Sequence, residues 1–411
     1  MSALKNIRVL DLSRVLAGPS CTQILADLGA DIIKVERPGE GDDTRQWGPP
    51  FLQDKDGNDT TESAYYLSAN RGKRSVAIDI TTEQGQDLIH RLIAQSDILI
   101  ENFKTGGLDK YGLGYARIKQ QYPGLIYCSI TGFGQDGPLA SEPGYDFLAQ
   151  AMGGLMAATG VPDGEPMKAG VALSDIMTGL YAAIGILAAL HHREKTGEGQ
   201  HVDLALLDCT LASMTNIAQY FLTSGTCAPR LGNAHSTIVP YQAFAAQDGH
   251  IIIAIGNDRQ FTRFADAIGH EEWARDERFI TNRMRVKNRD ILIPLIATII
   301  KTRSCAAWLD LFHQASLSVA PVNRMDQVFA MPQIQAREMK ISLPHPLTDG
   351  AISLVGSPLK LSGTPVSYDK PPPVCGEHSA AILRELLGLG DDDIAALEAE
   401  SIIGSFPPSK T

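Results

Sequence analysis

The sequence is poor in features that would point to a metal, redox or nucleic-acid protein. It has only six cysteines in 411 residues, and no two lie close enough for a zinc knuckle or a CxxC redox pair. This pattern is typical of a reduced compartment, so we expect a cytoplasmic protein. A net charge of -11 disfavours nucleic acid as a partner, because phosphate neutralisation needs basic clusters. A local basic pocket for an acidic ligand is compatible with this charge.

Targeting and membrane-spanning patterns are also missing. The N-terminus, MSALKNIRVLDL, enters a strand pattern without a basic start and a long apolar run, so no signal peptide is predicted. The longest apolar run, 176–190, contains Thr178, Gly179 and Gly185 and spans 15 residues. That length is short for a membrane span. We therefore expect a buried core helix and no membrane association.

Glycine-rich and metal-binding motifs occur only in fragments. Gly132 to Gly137 fits G-x-G-x-x-G after a strand, but Pro138 and Pro143 break the helix that a dinucleotide site requires. The alternative is a glycine turn that lets the backbone approach a ligand or another loop. The stretch 270–274 (HEEWA) lacks the second histidine of a zincin helix. We expect no metal site and no permanently bound cofactor.

The first half of the chain alternates apolar strands with helical stretches. Strands are predicted at 7–12, 31–35, 75–80, 97–100 and 125–130. Apolar strands separated by helices indicate a parallel sheet covered on both faces. In such sheets the functional residues tend to lie in the loops after the strand C-termini. A second unit is predicted to follow a Gly-, Pro-, Ser- and Asn-rich linker at 226–235.

Asp175 is the most conspicuous polar residue of the largely apolar stretch 170–180. A carboxylate in such a stretch is costly to bury without a partner or a function. Ser174 is predicted to cap the helix that begins here, and the helix dipole would then favour the ionised form of Asp175. An ordinary acidic residue at the start of a core helix fits the pattern equally well.

A carboxylate at this position could act as a nucleophile toward a thioester of coenzyme A (CoA). Attack would give a mixed anhydride and release CoA thiolate, which could then form an enzyme–CoA thioester that is passed to a new acid. This path requires basic side chains for the CoA phosphates. The candidates in or beside the loops of the first sheet are Arg37, Arg71, Lys73, Arg74, Lys104 and Lys110. Each could equally be a solvated surface charge, but Arg37, Lys104 and Lys110 follow strand ends.

A set of short stretches gives a resemblance that runs almost from end to end. They are 8–12 (RVLDL), 17–19 (AGP), 28–37 (LGADIIKVER), 41–42 (GD), 70–75 (NRGKRS), 101–103 (ENF), 132–134 (GFG), 144–146 (GYD) and Asp175. Together they resemble the class III CoA-transferases, a family that includes formyl-CoA:oxalate transferase, the carnitine CoA-transferases and α-methylacyl-CoA racemase.

The resemblance implies a function for each matched position. Asp175 would be the covalent nucleophile, and a CoA thioester would be a substrate. The CoA-binding positions would be Leu16, Ala17, Arg37, Asn70, Arg71, Gly72, Lys73, Asn102, Phe103, Lys104 and Lys110. The acyl- or substrate-binding positions would be Tyr145 and Asp146 together with Gly256, Asn257, Arg259 and Gln260.

The loop 256–261 bears on the substrate. It has one glycine where the oxalate enzyme has a run of glycines, and Arg259 could hold a second carboxylate in a bidentate pair. The loop looks more like that of the succinyl-CoA:glutarate branch, with oxalate- or carnitine-type transfer as alternatives. The racemase branch needs a histidine where this chain has Tyr145, and a tyrosine is a poor base at neutral pH. A 2-methylacyl-CoA racemase is a further alternative.

The resemblance also implies the architecture. It predicts an α/β protein with a Rossmann-like parallel sheet in a large domain formed by both chain ends, residues 1–225 and 331–411. A smaller α+β domain would be inserted over 226–330. Family members form interlocked-ring homodimers, so a homodimer with its site between domains of different subunits is implied. The expected partners are an acyl-CoA and a small carboxylic acid.

Overall fold

A computed structural model describes residues 2–406 and divides them into two compact units. The large unit contains the described residues of 1–155, 168–219 and 335–411, and the small unit contains 156–167 and 220–334. The sequence placed the boundaries at 225/226 and 330/331, a few residues away. It did not predict that 156–167 belongs to the small unit.

The elements follow in chain order. The strands are β1 (Arg8–Asp11), β2 (Asp31–Glu36), β3 (Phe51–Gln53), β4 (Asp59–Ser63), β5 (Lys73–Ile78), β6 (Ile98–Glu101), β7 (Ile126–Thr131), β8 (His201–Ala205), β9 (Tyr241–Ala245), β10 (His250–Ala254), β11 (Val319–Pro321), β12 (Lys340–Pro344), β13 (Ala351–Val355) and β14 (Ile403–Gly404). The helices are α1 (Ala17–Asp27), α2 (Ala64–Ser68), α3 (Glu83–Ile93), α4 (Tyr115–Gln121), α5 (Asp146–Met152), α6 (Leu155–Ala158), α7 (Leu173–Thr196), α8 (Leu206–Ser213), α9 (Thr215–Ser224), α10 (Asp258–Ala267), α11 (Asn282–Lys287), α12 (Arg289–Ile300), α13 (Cys305–Gln314), α14 (Met325–Ala330), α15 (Pro332–Ala336), α16 (Ser379–Leu387) and α17 (Asp391–Ala399).

The large unit is organised around a seven-stranded sheet in the order β14-β5-β2-β1-β6-β7-β8. Six of these strands run parallel, and β14 pairs antiparallel with β5 at the edge. Central strand residues such as Val9, Leu10, Ile32 and Ile33 are fully buried, which is typical of a parallel sheet covered on both faces. The predicted α/β fold with a parallel sheet is confirmed.

The sheet changes direction of winding beside β1. From β1 the chain adds β2 and β5 on one side, and it then returns to place β6, β7 and β8 on the other side. A switch point of this kind leaves a crevice at the carboxyl ends of the two central strands, β1 and β6. The loops that follow β1, β6 and β7 meet at this edge.

The long apolar helix α7 meets the length and composition expected of a membrane span, with half of its most apolar window buried in the protein. It packs against α1, where Gly179 permits close approach: a Cβ there would lie 2.7 Å from the Ala17 carbonyl oxygen. This packing agrees with the predicted core helix. It brings the start of α7, with Asp175, beside the start of α1.

The small unit is built on the antiparallel sheet β11-β10-β9. Its core contains Phe244, Ile251, Ile253, Phe264 and Trp308, supplied by this sheet and by helices α10 and α13. The remaining strand pairs of the structure are two antiparallel hairpins, β3–β4 and β12–β13.

Candidate active site

A cleft of about 650 Å³ lies at the switch point of the large unit. Its walls come from the loops after β1, β6 and β7 and from the first turn of α7. The predicted site residues that line it are Leu16, Ala17, Asn102, Phe103, Lys104, Lys110, Tyr145, Asp146 and Asp175. The volume is that of a site for a sizeable small molecule. The structure therefore brings most of the large-unit predictions into one place.

The loop between β1 and α1 is held in a strained shape. Val15 has a φ of 71°, which is a genuine outlier for a β-branched residue. Its amide donates to Asp42 Oδ1 at 3.2 Å. The side chain of Asn102 pairs with both the N–H and the carbonyl of Arg14, at 2.9 and 2.7 Å. These contacts fix the wall of the cleft that Leu16 and Ala17 form.

A buried ion pair lies beneath this loop. The Lys34 ammonium donates to Asp42 Oδ2 at 2.8 Å and to the Ser13 carbonyl at 2.9 Å, and both side chains are fully buried. Burial opposes the charge of Asp42, but the Lys34 ammonium outweighs it and lowers the pKa of Asp42 to about 2. Burial likewise opposes the charge of Lys34, but Asp42 and Asp11 raise its pKa. Both groups are charged at neutral pH.

Three predicted CoA-binding residues are buried under the sheet edge. Lys73 is fully buried, and its ammonium donates to Asn70 Oδ1 at 2.8 Å and to Asp11 Oδ2 at 3.3 Å. The guanidinium of Arg71 donates two hydrogen bonds to the Asp27 carboxylate, at 3.0 and 2.5 Å. These charges are paired inside the chain, and a contact of Asn70, Arg71 or Lys73 with CoA stays a prediction.

Of the other candidates beside the first sheet, Arg74 is paired inside the chain, Gly72 is a tightly packed backbone position, and Arg37 is exposed. Arg74 pairs with Asp31 at 2.6 Å and with Glu385 at 2.7 Å, so its charge is also used inside the chain. Gly72, with a φ of 79°, has room for no Cβ because the Ala26 side chain lies 2.8 Å from that position. Arg37 is exposed and lines a second cavity of about 280 Å³.

The residues Arg14, Phe103 and Tyr111 line both cavities. Arg14 was missed by the sequence prediction, although it lies in the loop that follows β1 at the functional edge of the sheet. Its guanidinium lies 5.6 Å from the ring centre of Phe103 and pairs with Asp43 at 2.8 Å. Lys104 and Lys110 are exposed and also line the first cleft.

The start of α7 is not capped as predicted. The helix begins at Leu173, so Ser174 lies inside it, and the Ser174 hydroxyl accepts from Thr210 at 2.7 Å. The cap comes instead from Asp146 of α5. Its Oδ1 accepts the N–H groups of Ser174 at 2.8 Å and Asp175 at 3.3 Å. A cap from another helix leaves no signal in the local sequence.

The environment of Asp175 favours its neutral form. The residue is only 8% exposed. Burial, and then the neighbouring charge of Asp146, raise the pKa of Asp175 to about 7. This corrects the expectation that the helix dipole would favour the ionised form, because Asp146 occupies the terminal amides. A carboxyl group with a strongly shifted pKa in a cleft is a candidate reactive group.

Glycines set the position of the loop that carries Tyr145. A Cβ at Gly132 would collide with the backbone of Gly144, so these two backbones can touch only as glycines. This confirms the glycine-turn interpretation of the G-x-G-x-x-G fragment. Tyr145 follows directly and is 63% exposed at the cleft.

The predicted substrate loop lies in the small unit. The side chain of Gln260 accepts the N–H of Gly256 at 2.7 Å, and Asn257 caps α10 by accepting the N–H of Gln260 at 2.9 Å. Arg259 is exposed in the first turn of α10. A contact of these four residues with substrate stays a prediction.

Within residues 2–406, no group of three or more His, Cys, Asp or Glu side chains is arranged to hold a metal ion.

Comparison with known proteins identifies the class of this protein. The profile of CoA-transferase family III matches residues 4–379. Succinate–glutarate CoA-transferase of Agrobacterium fabrum is 47% identical over 384 residues, 93% of this chain and 95% of that protein. Human succinyl-CoA:glutarate CoA-transferase is 42% identical over 400 residues, 97% of this chain and 90% of that protein.

A solved structure gives the same result. The crystal structure of a CaiB/BaiF family protein from Brucella suis is 48% identical, with a TM-score of 0.85 over 94% of this chain and 99% of that one. The chain belongs to CoA-transferase family III and is a CoA-transferase, so its substrates include a CoA thioester.

The raised pKa of Asp175 predicts how stability depends on pH. The folded carboxyl titrates at about 7 against an ordinary value of 3.8, so the folded state holds a proton that the unfolded chain releases. Asp175 therefore lowers stability progressively as pH rises from 3.8 to 7 and by a constant amount above 7. We expect Asp175→Asn to raise the free energy of unfolding by about 2 to 4 kcal/mol at pH 8, and by less at pH 5.

Urea unfolding of both proteins at the two pH values measures this difference, with the exposed Asp349→Asn as a matched control. A difference of equal size at pH 5 and pH 8 would contradict the assignment.

Proposed function

We propose that this CoA-transferase moves CoA from succinyl-CoA to glutarate or a related small dicarboxylate, with Asp175 as the covalent nucleophile. The observation that carries the proposal is the placement of Asp175 in the main cleft, nearly buried and with a pKa raised to about 7. A carboxylate that is poorly solvated but can ionise near neutral pH is suited to attack a thioester carbonyl.

The reaction proceeds by four exchanges at carbonyl carbons. The ionised oxygen of Asp175 attacks the succinyl thioester, the C–S bond breaks, and a mixed anhydride and CoA thiolate result. The thiolate then attacks the aspartyl carbonyl, which releases succinate and leaves an aspartyl–CoA thioester. The carboxylate of the acceptor attacks this thioester to give a second anhydride, and the thiolate attacks its acceptor carbonyl. The products are the new acyl-CoA and free Asp175, with no net change in protons.

The basic side chains of the cleft suit the phosphates of CoA. Lys104 and Lys110 are exposed on the cleft and form no ion pair among residues 2–406, whereas the buried Lys34 and Lys73 are paired. Arg37, which pairs with the exposed Glu40 at 2.8 Å, extends this basic surface to the second cavity. We place CoA along the loops after β1 and β6, with Leu16, Ala17, Asn102 and Phe103 as its walls.

The choice of acceptor rests on the relatives and on one loop. Two relatives with identities of 47% and 42% bear names that pair succinate with glutarate. Arg259 is exposed and has the fork geometry to hold the second carboxylate of such an acid. Tyr145 and Asp146 at the cleft would contact the acyl group near Asp175.

The transfer assay is the direct test of this function. Purified protein is given succinyl-CoA with glutarate, itaconate, citramalate, malate, oxalate, carnitine or formate, and new thioesters are followed by mass spectrometry. We expect glutaryl-CoA as a main product and no transfer by folded Asp175→Ala, because the covalent intermediates require its carboxylate. Transfer retained in that variant would contradict the mechanism, and deuterium incorporation at the α-carbon without an acceptor would indicate racemase chemistry.

The proposed CoA contacts have a separate test. Because each lysine offers a charge-assisted contact, Lys104→Ala/Lys110→Ala should raise the KM for succinyl-CoA about tenfold or more with kcat little changed. The double variant Lys301→Ala/Lys360→Ala, which removes the same charge from exposed sites elsewhere, is the control. An equal effect of both double variants would assign the loss to net charge alone.

We also propose that the protein is a homodimer, with the interlocked topology that the family resemblance implies. The outer face of α7 exposes Leu180, Tyr181, Ile184 and Leu187, of which Ile184 is 62% exposed. These positions repeat with helical spacing and form one apolar stripe. An exposed apolar stripe of this kind favours a covering partner, and a second copy of this chain is the partner we assign.

Sedimentation analysis tests this assembly. We expect a dimer for the native chain, and a shift toward monomer in Ile184→Glu because a charge would be buried at the interface. Val355→Glu, which adds a charge at a 57% exposed residue of β13, is the matched control. A monomeric native protein would contradict the proposal.

The six cysteines form no disulfide in the structure. We propose a cytoplasmic location, on the basis of the wide sequence spacing of the cysteines.

A further inference from the structure

A fully buried glutamine lies behind the nucleophile. Gln150 of α5 is 0% exposed, and both ends of its carboxamide are engaged. Its Nε2 donates to Asp146 Oδ2 at 2.7 Å and to the Val171 carbonyl at 3.3 Å, and its Oε1 accepts the N–H of Ala169 at 2.8 Å. One side chain thus joins Asp146 to the segment 169–171, which leads directly into α7.

Asp146 connects Gln150 to the start of α7, where Asp175 lies. It lies four residues before Gln150, on the same face of α5. One carboxylate oxygen of Asp146 is held by Gln150, and the other accepts the backbone N–H groups of Ser174 and Asp175. No donor among residues 2–406 is hydrogen-bonded to the Asp175 carboxylate itself. The position of that carboxylate therefore depends on where α7 begins.

We propose that Gln150 is a positioning residue for CoA transfer, which holds Asp146 and residues 169–171 so that Asp175 is presented to the thioester. This inference rests on the proposed role of Asp175 as the nucleophile. Gln150 acts through Asp146 and the backbone and does not touch the reacting atoms. The same contact keeps the negative charge of Asp146 beside the start of α7.

The position requires a neutral group that both donates and accepts. A protonated glutamic acid can do this, because its hydroxyl can donate to Asp146 and its carbonyl can accept from Ala169. An ionised glutamate cannot donate and would repel Asp146. Methionine has a similar length but can form none of the three hydrogen bonds of Gln150. Gln150→Glu and Gln150→Met therefore separate hydrogen bonding from packing.

The ionisable surroundings are few. Asp146 on α5 and Asp175 on α7 are the carboxyl groups that interact here. Burial, and then the charges of Asp175 and Asp146, raise the pKa of Tyr65 on α2. From α8, which packs against α5 and α7, Cys209 is the buried ionisable group. The introduced carboxyl of Gln150→Glu would be buried beside Asp146, and both effects raise its pKa.

The test is the pH dependence of kcat and KM for succinyl-CoA and glutarate between pH 6 and 9.5, in the full-length native protein and both variants. The native kcat should rise through neutral pH and then stay level. Gln150→Glu should retain activity near neutral pH but lose it at alkaline pH, as the introduced carboxyl ionises. Gln150→Met should lose about 10- to 100-fold in kcat at every pH with the KM for succinyl-CoA little changed. Gln120→Glu, at an exposed position of α4, is the control.

The outcomes separate the two claims. An active native protein with native profiles in both variants overturns the role of Gln150 and leaves the proposed function standing. A native protein that transfers no CoA overturns the proposed function and this inference with it. If Gln150→Met does not fold, the alkaline loss of kcat in Gln150→Glu supports the proposal, and its absence overturns it.

Discussion

The contact between the Asp146 carboxylate and the first amides of α7 is the interaction on which the site depends. These amides would otherwise be free to stabilise a negative charge at the helix start. Because the Asp146 carboxylate accepts these amides, it joins α5 to the start of α7. The charge of Asp146 therefore lies beside Asp175. Asp175 is then left with burial and a like charge as its main influences, and both raise its pKa.

The basic residues near the cleft are of two kinds: buried lysines that are paired inside the chain, and exposed lysines that form no ion pair among residues 2–406. Lys34 within β2 and Lys73 at the start of β5 are fully buried, and their charges tie the β1 loop and the start of α1 to the sheet. A strained residue such as Val15 persists only where its surroundings hold it, and the Lys34–Asp42 pair does this from below. The charges left on the cleft, Lys104 and Lys110, are therefore those that can meet a ligand.

The large-scale fold could be predicted because its strands are apolar runs between helical stretches, and this pattern is local. Lys104 follows β6, and its position at this edge was predicted from the same pattern, since loops after parallel strands converge. The placement of Asp175 and Tyr145 at the site came from the family resemblance instead. The edge strand β14 could not be predicted, because two residues carry no periodicity.

The side chains with which individual charged residues pair could not be predicted from the sequence. The contact of Lys73 with Asp11, which lies 62 residues earlier in the chain, left no signal in the local sequence. A lysine between apolar strand residues is a signal of burial, and Lys34 between Ile33 and Val35 shows it. Lys73 lies between Gly72 and Arg74 and carries no such signal. The cap of α7 by Asp146 needed the packing of α5 on α7, which neither helix sequence reveals by itself.

The central claim is that Asp175 becomes covalently attached to CoA, and mass spectrometry of the enzyme after exposure to succinyl-CoA without an acceptor acid tests it most directly. The account predicts a CoA adduct as a thioester on the peptide that contains Asp175, with succinate released and the adduct discharged when glutarate is added. Transfer of CoA to glutarate without any such adduct on Asp175 would contradict it.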